Sequence, residues 1–338
     1  MNTAGHFKEW LHEAAGYDDI VLGPVLTGGN SNVTRIVETR QGRLILRHPP
    51  VNLVSDRAAA GIEREYRAIT ALQGRAPVPR PIAWCADPAV IGQPFAVTAW
   101  IEGFALSDAL PHHWTNTPET INQLGLAMIG GLATVHAIDW REILPSDFGR
   151  PEGFVQRQVS RWLKVRAADR VRDLPLLETI GAWLMENCPA TTRTSLIHCD
   201  FHLDNCLMAK DAPRLEAILD WEMATLGDPL IDLGLCLFFW KRDPKGSLGF
   251  RQIQGLSNRS DIIAPGDLAR AWSEATNFDH AGLHYFMVFA AWRLAAIVEG
   301  AWVLHQQGKE DTAYAKGIEH DVPALLREAA AIIENGKI

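Results

Sequence analysis

Apolar and polar positions change their rhythm partway along the chain. From about residue 19 to residue 101 they alternate in short runs, and beyond Gly103 they recur mainly at helical spacing. Residues 33–39 and 43–48 read as two strands joined through Arg40-Gln41-Gly42, a hairpin with glycine in the turn. In 58–72 the charged Glu63, Arg64, Glu65 and Arg67 fall between apolar Ile62, Tyr66, Ile69 and Leu72, which is the period of a helix, and Pro77, Pro79 and Pro81 end it. Residues 95–101 read as another buried strand. Helices are predicted over 119–137, 153–168, 174–186, 266–276, 284–304 and 322–334. Three short apolar runs, 195–197, 206–208 and 217–219, interrupt this zone and read as strands with polar residues at their ends, where a rigid scaffold places functional loops. There is no internal repeat and no low-complexity segment. The pattern predicts an α+β protein, with a small β-rich N-lobe over 1–101 and a larger helical C-lobe over 102–338.

Composition narrows the classes. A length of 338 residues, 47% hydrophobic and 21% charged, suits a globular enzyme. A net charge of -8 argues against a nucleic-acid partner held by phosphate neutralisation. The five cysteines are scattered without a C-x-x-C pair, as expected of reduced thiols in a cytoplasmic protein. The first ten residues carry His6, Lys8 and Glu9 and no apolar core, so no signal peptide is expected. Arg293 and Glu299 break the greasiest stretch, 285–304, which reads as a buried helix and not a membrane span.

The chemistry concentrates in two short segments. Asp200 and Asn205 lie five residues apart on a loop between predicted strands, and Asp220 ends the next one. Phosphoryl transfer needs an aspartate to accept the proton of an attacking hydroxyl and oxygen ligands for the magnesium that neutralises a nucleotide triphosphate. This order supplies a base, then a metal amide, then a metal carboxylate. Each residue taken alone would read as a turn former or a helix cap. Together, bounded by strands, they read as a site.

Residues 196–205, Leu-Ile-His-Cys-Asp-Phe-His-Leu-Asp-Asn, resemble the catalytic loop of the aminoglycoside phosphotransferase-like family, relatives of the protein kinases. The family's usual pattern there is H-G-D-[FY]-x-x-x-N, so Cys199 replaces a glycine. Asp220-Trp221-Glu222 looks like the family's D-[FW]-E metal motif, and the run from Gly227 to Leu233 is similar to its G-D-P-x-x-D-L helix start. The resemblance implies a protein-kinase-like bilobal fold, ATP and Mg2+ as cofactors, Asp200 as base, and Asn205 and Asp220 as metal ligands. His198, Asp228 and Asp232 are expected to support the loop, and Trp221 to pack beneath the metal site.

The N-lobe agrees with this reading. Gly28, Gly29, Asn30, Ser31 and Asn32 form a candidate phosphate-binding loop, because glycines let backbone N–H groups approach phosphate oxygens. In kinase-like folds a third-strand cation contacts the α- and β-phosphates and pairs with a helix glutamate. Arg47 stands in that place, with Glu65 as partner and Glu63 as a rival. Ala99, Trp100 and Ile101 resemble the hinge whose backbone meets adenine, with Trp100 packing and not stacking on the base. His202, Arg161, Trp162, Trp240 and Arg293 are candidate acceptor contacts, weighed against helix packing and salt bridges. His112-His113 has no further spaced ligands and reads as exposed loop.

The segments 28–34, 46–50, 64–67 and 154–162 look most like the branch found beside acyl-CoA dehydrogenases, the family member 10/11 N-terminal-like phosphotransferases. That implies a small hydroxylated acceptor, a hydroxy acid or hydroxyacyl-CoA, and a functional link to an acyl-CoA dehydrogenase. An antibiotic kinase would need an acidic acceptor pocket, and the arginine- and lysine-rich stretch 150–190 shows no acidic cluster. A non-catalytic nucleotide-binding scaffold would have no need of Asp200. A glycosidase would require neither Asn205 nor the glycine loop.

Overall fold

The computed structural model describes residues 3–26, 32–50, 56–191, 193–240, 252–309, 315 and 318–336, with the side chains of 56–58 and 252–254 outside that description. In chain order the first elements are α1 (Thr3–Ala15), β1 (Val21–Leu26), β2 (Val33–Thr39), β3 (Gly42–His48), α2 (Asp56–Leu72), β4 (Pro81–Cys85), α3 (Pro88–Ile91) and β5 (Phe95–Ala99). They are followed by β6 (Phe104–Ala105), α4 (Pro118–Ala137), α5 (Phe154–Ala168), α6 (Pro175–Glu186), β7 (Ser195–Ile197), β8 (Cys206–Met208), β9 (Leu215–Ile218) and β10 (Thr225–Gly227). The last are α7 (Leu230–Phe239), α8 (Pro265–Thr276), α9 (Leu283–Gln306) and α10 (Asp321–Asn335). The chain divides into two compact units. One is Met1–Gly103 with Arg141–Leu144 and Glu216–Ala224, and the other is Phe104–Trp140, Pro145–Leu215 and Thr225–Ile338.

The first unit is built on an antiparallel five-stranded sheet of order β1-β2-β3-β5-β4. The hairpin closes with Thr39 opposite Gly42, whose φ of 120° lies where a Cβ would be strained. Leu44 and Leu46 on β3 join Val37, Phe95 and Val97 in a core that α1 covers with Phe7 and Leu11. Phe7 and Trp10 meet Phe95 edge-to-face, with ring centroids 5.6 and 4.7 Å apart. The strand period of two puts Ile45 and Arg47 on the opposite face from Leu44 and Leu46, and there Arg47 meets α2. The segment carrying Asp220 is stitched onto the same unit. Ile218 N–H donates to the Pro77 carbonyl at 2.8 Å, and Arg64 donates to the Ala224 carbonyl at 3.1 Å.

The second unit is mainly helical. Proline at the first turn of α4, α6 and α8 marks their starts, and Thr117 caps α4 by accepting the Thr120 N–H. Within α7 all ten residues are buried, and it packs on α9, whose length and apolarity would suit a membrane span but whose surface is mostly buried inside the protein. Gly234 permits the approach, because an added Cβ there would lie 2.7 Å from the Phe286 backbone. Two small antiparallel pairs hold the functional loop: β7 with β10, and β6 with β8.

Candidate active site

In the second unit the loop from His198 to Asn205 is fixed by its backbone. The two carboxylate oxygens of buried Asp232, in the first turn of α7, accept the N–H groups of His198 at 2.6 Å and Cys199 at 2.7 Å. Arg293 of α9 donates to the Cys199 carbonyl at 3.0 Å. The Asp200 N–H donates to Nδ1 of buried His198 at 3.3 Å, and the Asn205 amide donates to the Asp200 carbonyl at 2.7 Å. That bond orients the Asn205 amide, since a carbonyl only accepts, and makes Oδ1 the end that could hold a cation. Cys199 occupies a left-handed φ of 67°, where the family's usual glycine would sit without a Cβ penalty.

Asp200 projects from this frame with its side chain 46% exposed. Burial alone would raise its pKa, but hydrogen bonding and charge from His202, with His198 and Arg293 nearby, hold it down at about 2. His202 lies 3.7 Å from Asp200 and 3.8 Å from Asp204. Burial opposes its charge, yet the two carboxylates hold its pKa up at about 9. The result is a carboxylate–imidazolium–carboxylate series, Asp200–His202–Asp204.

In the first unit Arg47 donates to Glu65 at 2.6 Å and to Asp220 at 2.9 Å. The predicted partner is therefore Glu65 and not Glu63. Burial would lower the Arg47 pKa, but Glu65, Asp220 and Glu222 hold it above its ordinary value. Burial, with Asp220 and Glu222 nearby, pushes Glu65 up to about 7 against the pull of Arg47. Asp220 itself has a left-handed φ of 66° and leads into a short 3-10 turn, Trp221–Met223. Trp221 is buried and donates to the Ile218 carbonyl at 2.9 Å. Asn32 hydrogen-bonds to Glu222, tying the end of the predicted phosphate loop to the Asp220 segment. Gly28, Gly29, Asn30 and Ser31 lie outside the described residues.

At the predicted hinge the Ala99 N–H is taken by the Arg80 carbonyl and the Trp100 N–H by the Arg43 carbonyl. Neither N–H is left for adenine, and of the three residues Ile101 remains the backbone donor. The Trp100 indole donates to Glu102 at 2.9 Å. Asp228 caps α7 by accepting the Leu230 N–H at 3.0 Å, and burial raises its pKa. Arg161 lies over the ring of Trp162 on α5, 5.2 Å from its centroid. Trp240 is buried and donates to the Ile263 carbonyl at 2.9 Å, a core position. Arg293 does reach the catalytic loop, through the Cys199 carbonyl. His112 and His113 are exposed, and among the described residues no group of three or more His, Cys, Asp or Glu is placed to hold a metal. Magnesium, bound by one or two carboxylates with substrate phosphates and water, does not need such a group. Asp220 and Asn205 each present the hard oxygen it prefers.

The reading by spacing missed two residues behind the loop. His136, near the end of α4, donates from Nε2 to Asp232 at 3.3 Å, and Trp272 of α8 donates to its Nδ1 at 3.2 Å. Their only trace in the sequence is a polar ring on an otherwise apolar helix face.

Residues 23–271 match the model of the phosphotransferase enzyme family, and the chain belongs to that family. It is a phosphotransferase with the kinase-like fold of its relatives. It is 30% identical over 296 residues to mouse acyl-CoA dehydrogenase family member 10, a match covering 85% of this chain and 27% of that protein. It is 28% identical over 291 residues to human acyl-CoA dehydrogenase family member 11, covering 84% and 36% respectively. The chain thus spans roughly a third of the length of these relatives. Among solved structures, a Ralstonia eutropha protein provisionally described as an aminoglycoside phosphotransferase superimposes with a TM-score of 0.82 and 26% identity, covering 97% of this chain and 98% of that one. The GDP and kanamycin complex of APH(2")-IIIa has the same fold, with a TM-score of 0.62 and 17% identity over 96% of this chain and 98% of that one.

Proposed function

We propose that the chain uses ATP and magnesium to transfer the γ-phosphate to the hydroxyl of a small molecule, a hydroxy acid or hydroxyacyl-CoA. Asp200 carries the reading: an ionised, half-exposed carboxylate on a loop whose backbone is pinned by Asp232 and Arg293. The acceptor oxygen forms its bond to the γ-phosphorus, the bond from that phosphorus to the ADP oxygen breaks, and the hydroxyl proton passes to Asp200. With its pKa near 2, Asp200 takes that proton only once the new phosphorus–oxygen bond is well advanced, and before then it orients the hydroxyl. Magnesium, held through Asp220 and Asn205, would neutralise charge on the phosphates. Arg47, braced by Glu65, contacts the α- and β-phosphates. Ile101 meets the adenine edge. The likeness to acyl-CoA dehydrogenase family members 10 and 11 supports an acyl-CoA-linked acceptor and a functional link to an acyl-CoA dehydrogenase.

A second reading, an antibiotic kinase, is favoured by the Ralstonia likeness. One assay separates the two. ADP release is measured with hydroxy acids, their CoA esters, aminoglycosides and choline, for the natural chain and for Asp200→Asn. Hydroxyacyl acceptors are expected to stimulate release, and Asp200→Asn to abolish it by about 10²–10⁴-fold with ATP affinity retained. Stimulation by aminoglycosides alone would sink the acceptor assignment. Binding of ATP and magnesium with no active acceptor would favour the scaffold instead.

A further inference from the structure

Behind the catalytic loop, three helices converge on one carboxylate. Trp272 of α8 is fully buried, and its indole N–H, which can only donate, points at Nδ1 of His136 on α4. The ring proton of His136 therefore sits on Nε2, directed at Asp232 of α7. The His136 and Trp272 rings meet edge-on, with centroids 5.8 Å apart at 84°. Ser195, at the start of β7, donates to the His136 carbonyl at 3.0 Å, so the same residue also holds the strand that leads into the loop. Asp232 then presents one oxygen to the His198 N–H and the other to the Cys199 N–H.

Cys199 needs this support. Its φ of 67° is left-handed, and a residue with a Cβ stays there only where its surroundings over-determine the backbone. The side chains of His136 and Asp232 have no solvent exposure, so water cannot replace a lost donor. We propose that His136 and Trp272 are positioning residues: they set the rotation of the Asp232 carboxylate, which holds Cys199 in its left-handed conformation and so aims Asp200. This rests on the reading of Asp200 as proton acceptor. Without the Nε2 donor, Asp232 loses its third fixed partner, and the two loop amides lose their alignment. Small misplacements of a reacting group are costly in rate.

The test compares His136→Phe, His136→Gln and Trp272→Phe, each alone and combined with Cys199→Gly. Turnover of magnesium-ATP to ADP is measured with the acceptor panel, and amide hydrogen exchange is followed at His198 and Cys199. His136→Phe should lower kcat by about tenfold or more, leave KM for ATP within about twofold, and speed exchange at both amides. His136→Gln, which can accept at one end and donate at the other, should stay within about threefold of the natural chain. Cys199→Gly should restore part of what His136→Phe loses, because glycine adopts positive φ unaided. If the losses simply multiply in the double variant, or if kcat and exchange are unchanged in His136→Phe, the proposal is overturned. Faster exchange with unchanged kcat would leave His136 as the loop's anchor but remove Asp200 from the reaction, a failure of the functional reading. Should His136→Phe not fold, Trp272→Phe, which deletes one N–H from the same chain of bonds, must show the same split between kcat and KM or the proposal falls.

Discussion

Arg47 and Asp220, 173 residues apart, are joined by a 2.9 Å hydrogen bond, and a second nitrogen of the same guanidinium serves Glu65. One cation therefore balances the buried Glu65 and the partly exposed Asp220. Arg47→Ala strands both, which should destabilise the protein by about 3–5 kcal/mol. If Arg47 contacts the nucleotide phosphates, the variant should also weaken magnesium-ATP binding by about tenfold or more. Arg47→Lys keeps the charge but cannot fork between two carboxylates, so it should fall between the two. Urea denaturation and calorimetric titration measure the two effects separately, and an unchanged ATP affinity in Arg47→Ala would exclude the phosphate role.

Cys199 is buried at a φ where glycine is the ordinary occupant. Elsewhere Ala is the better residue, because glycine loses more backbone entropy on folding. Here the order should reverse. Both Cys199→Ala and Cys199→Gly lose the packed thiol, but only Gly removes the Cβ penalty, so Cys199→Gly should be more stable by about 1 kcal/mol. Paired denaturation curves decide the sign, and a more stable Cys199→Ala would mean that the loop holds no strain at this position.

Much of this arrangement is legible in the amino-acid sequence. The β2–β3 hairpin shows in strict alternation around Gly42, and the loop residues Asp200, Asn205 and Asp220 show in their order between short apolar runs. Other features were hidden for physical reasons. α1 buries only Phe7 and Leu11 fully, too narrow a stripe to register as a helix. α7 is apolar all round and has no period to read, so only its Asp228-Pro229 start was visible. Glu63 and Glu65 could not be separated by spacing, because the choice depends on which face of α2 meets Arg47. Trp240 and Arg293 were expected in an acceptor pocket, but their partners, the carbonyls of Ile263 and Cys199, lie 23 and 94 residues away. The role of Asp232 was anticipated from a motif, whereas His136 and Trp272 acquire theirs only where three helices meet.

His202 and Asp200 perturb each other in opposite directions. Asp200 is held below its ordinary 3.8, at about 2, so its contribution to stability is present above 3.8 and is lost as pH falls toward 2. His202 is raised from 6.5 to about 9, so its contribution is complete below 6.5 and is lost as pH rises through 9. The pair should thus stabilise the fold most between about pH 4 and 6.5. Asp200→Asn removes one of the two carboxylates facing His202, and its titration midpoint should drop toward 6.5 while Asp204 keeps it from reaching that value. Imidazole proton resonances followed against pH give the midpoint directly, and an unmoved His202 would show that Asp204 alone sets it.

Two glycines in helices should respond to alanine with opposite signs. Gly130 on α4 is exposed and a Cβ there meets nothing within 4 Å, so Gly130→Ala should stabilise by up to about 1 kcal/mol through helix propensity. Gly234 on α7 faces α9, where the new Cβ would lie 2.7 Å from the Phe286 carbonyl carbon, 2.8 Å from its Cβ and 2.9 Å from its oxygen. Backbone cannot swing aside as a side-chain tip can, so the two helices must separate, at a cost of about 1–3 kcal/mol that outweighs the propensity gain. The displacement has a second consequence. Asp232 sits two residues before Gly234 and carries both loop amides, so Gly234→Ala should lower kcat as well as stability, whereas Gly130→Ala should leave turnover unchanged. Urea denaturation with ADP-release kinetics on the two variants tests both halves. A stabilised Gly234→Ala would mean that α7 and α9 are not in backbone contact. A destabilised variant with full turnover would mean that the loop does not depend on the seat of α7.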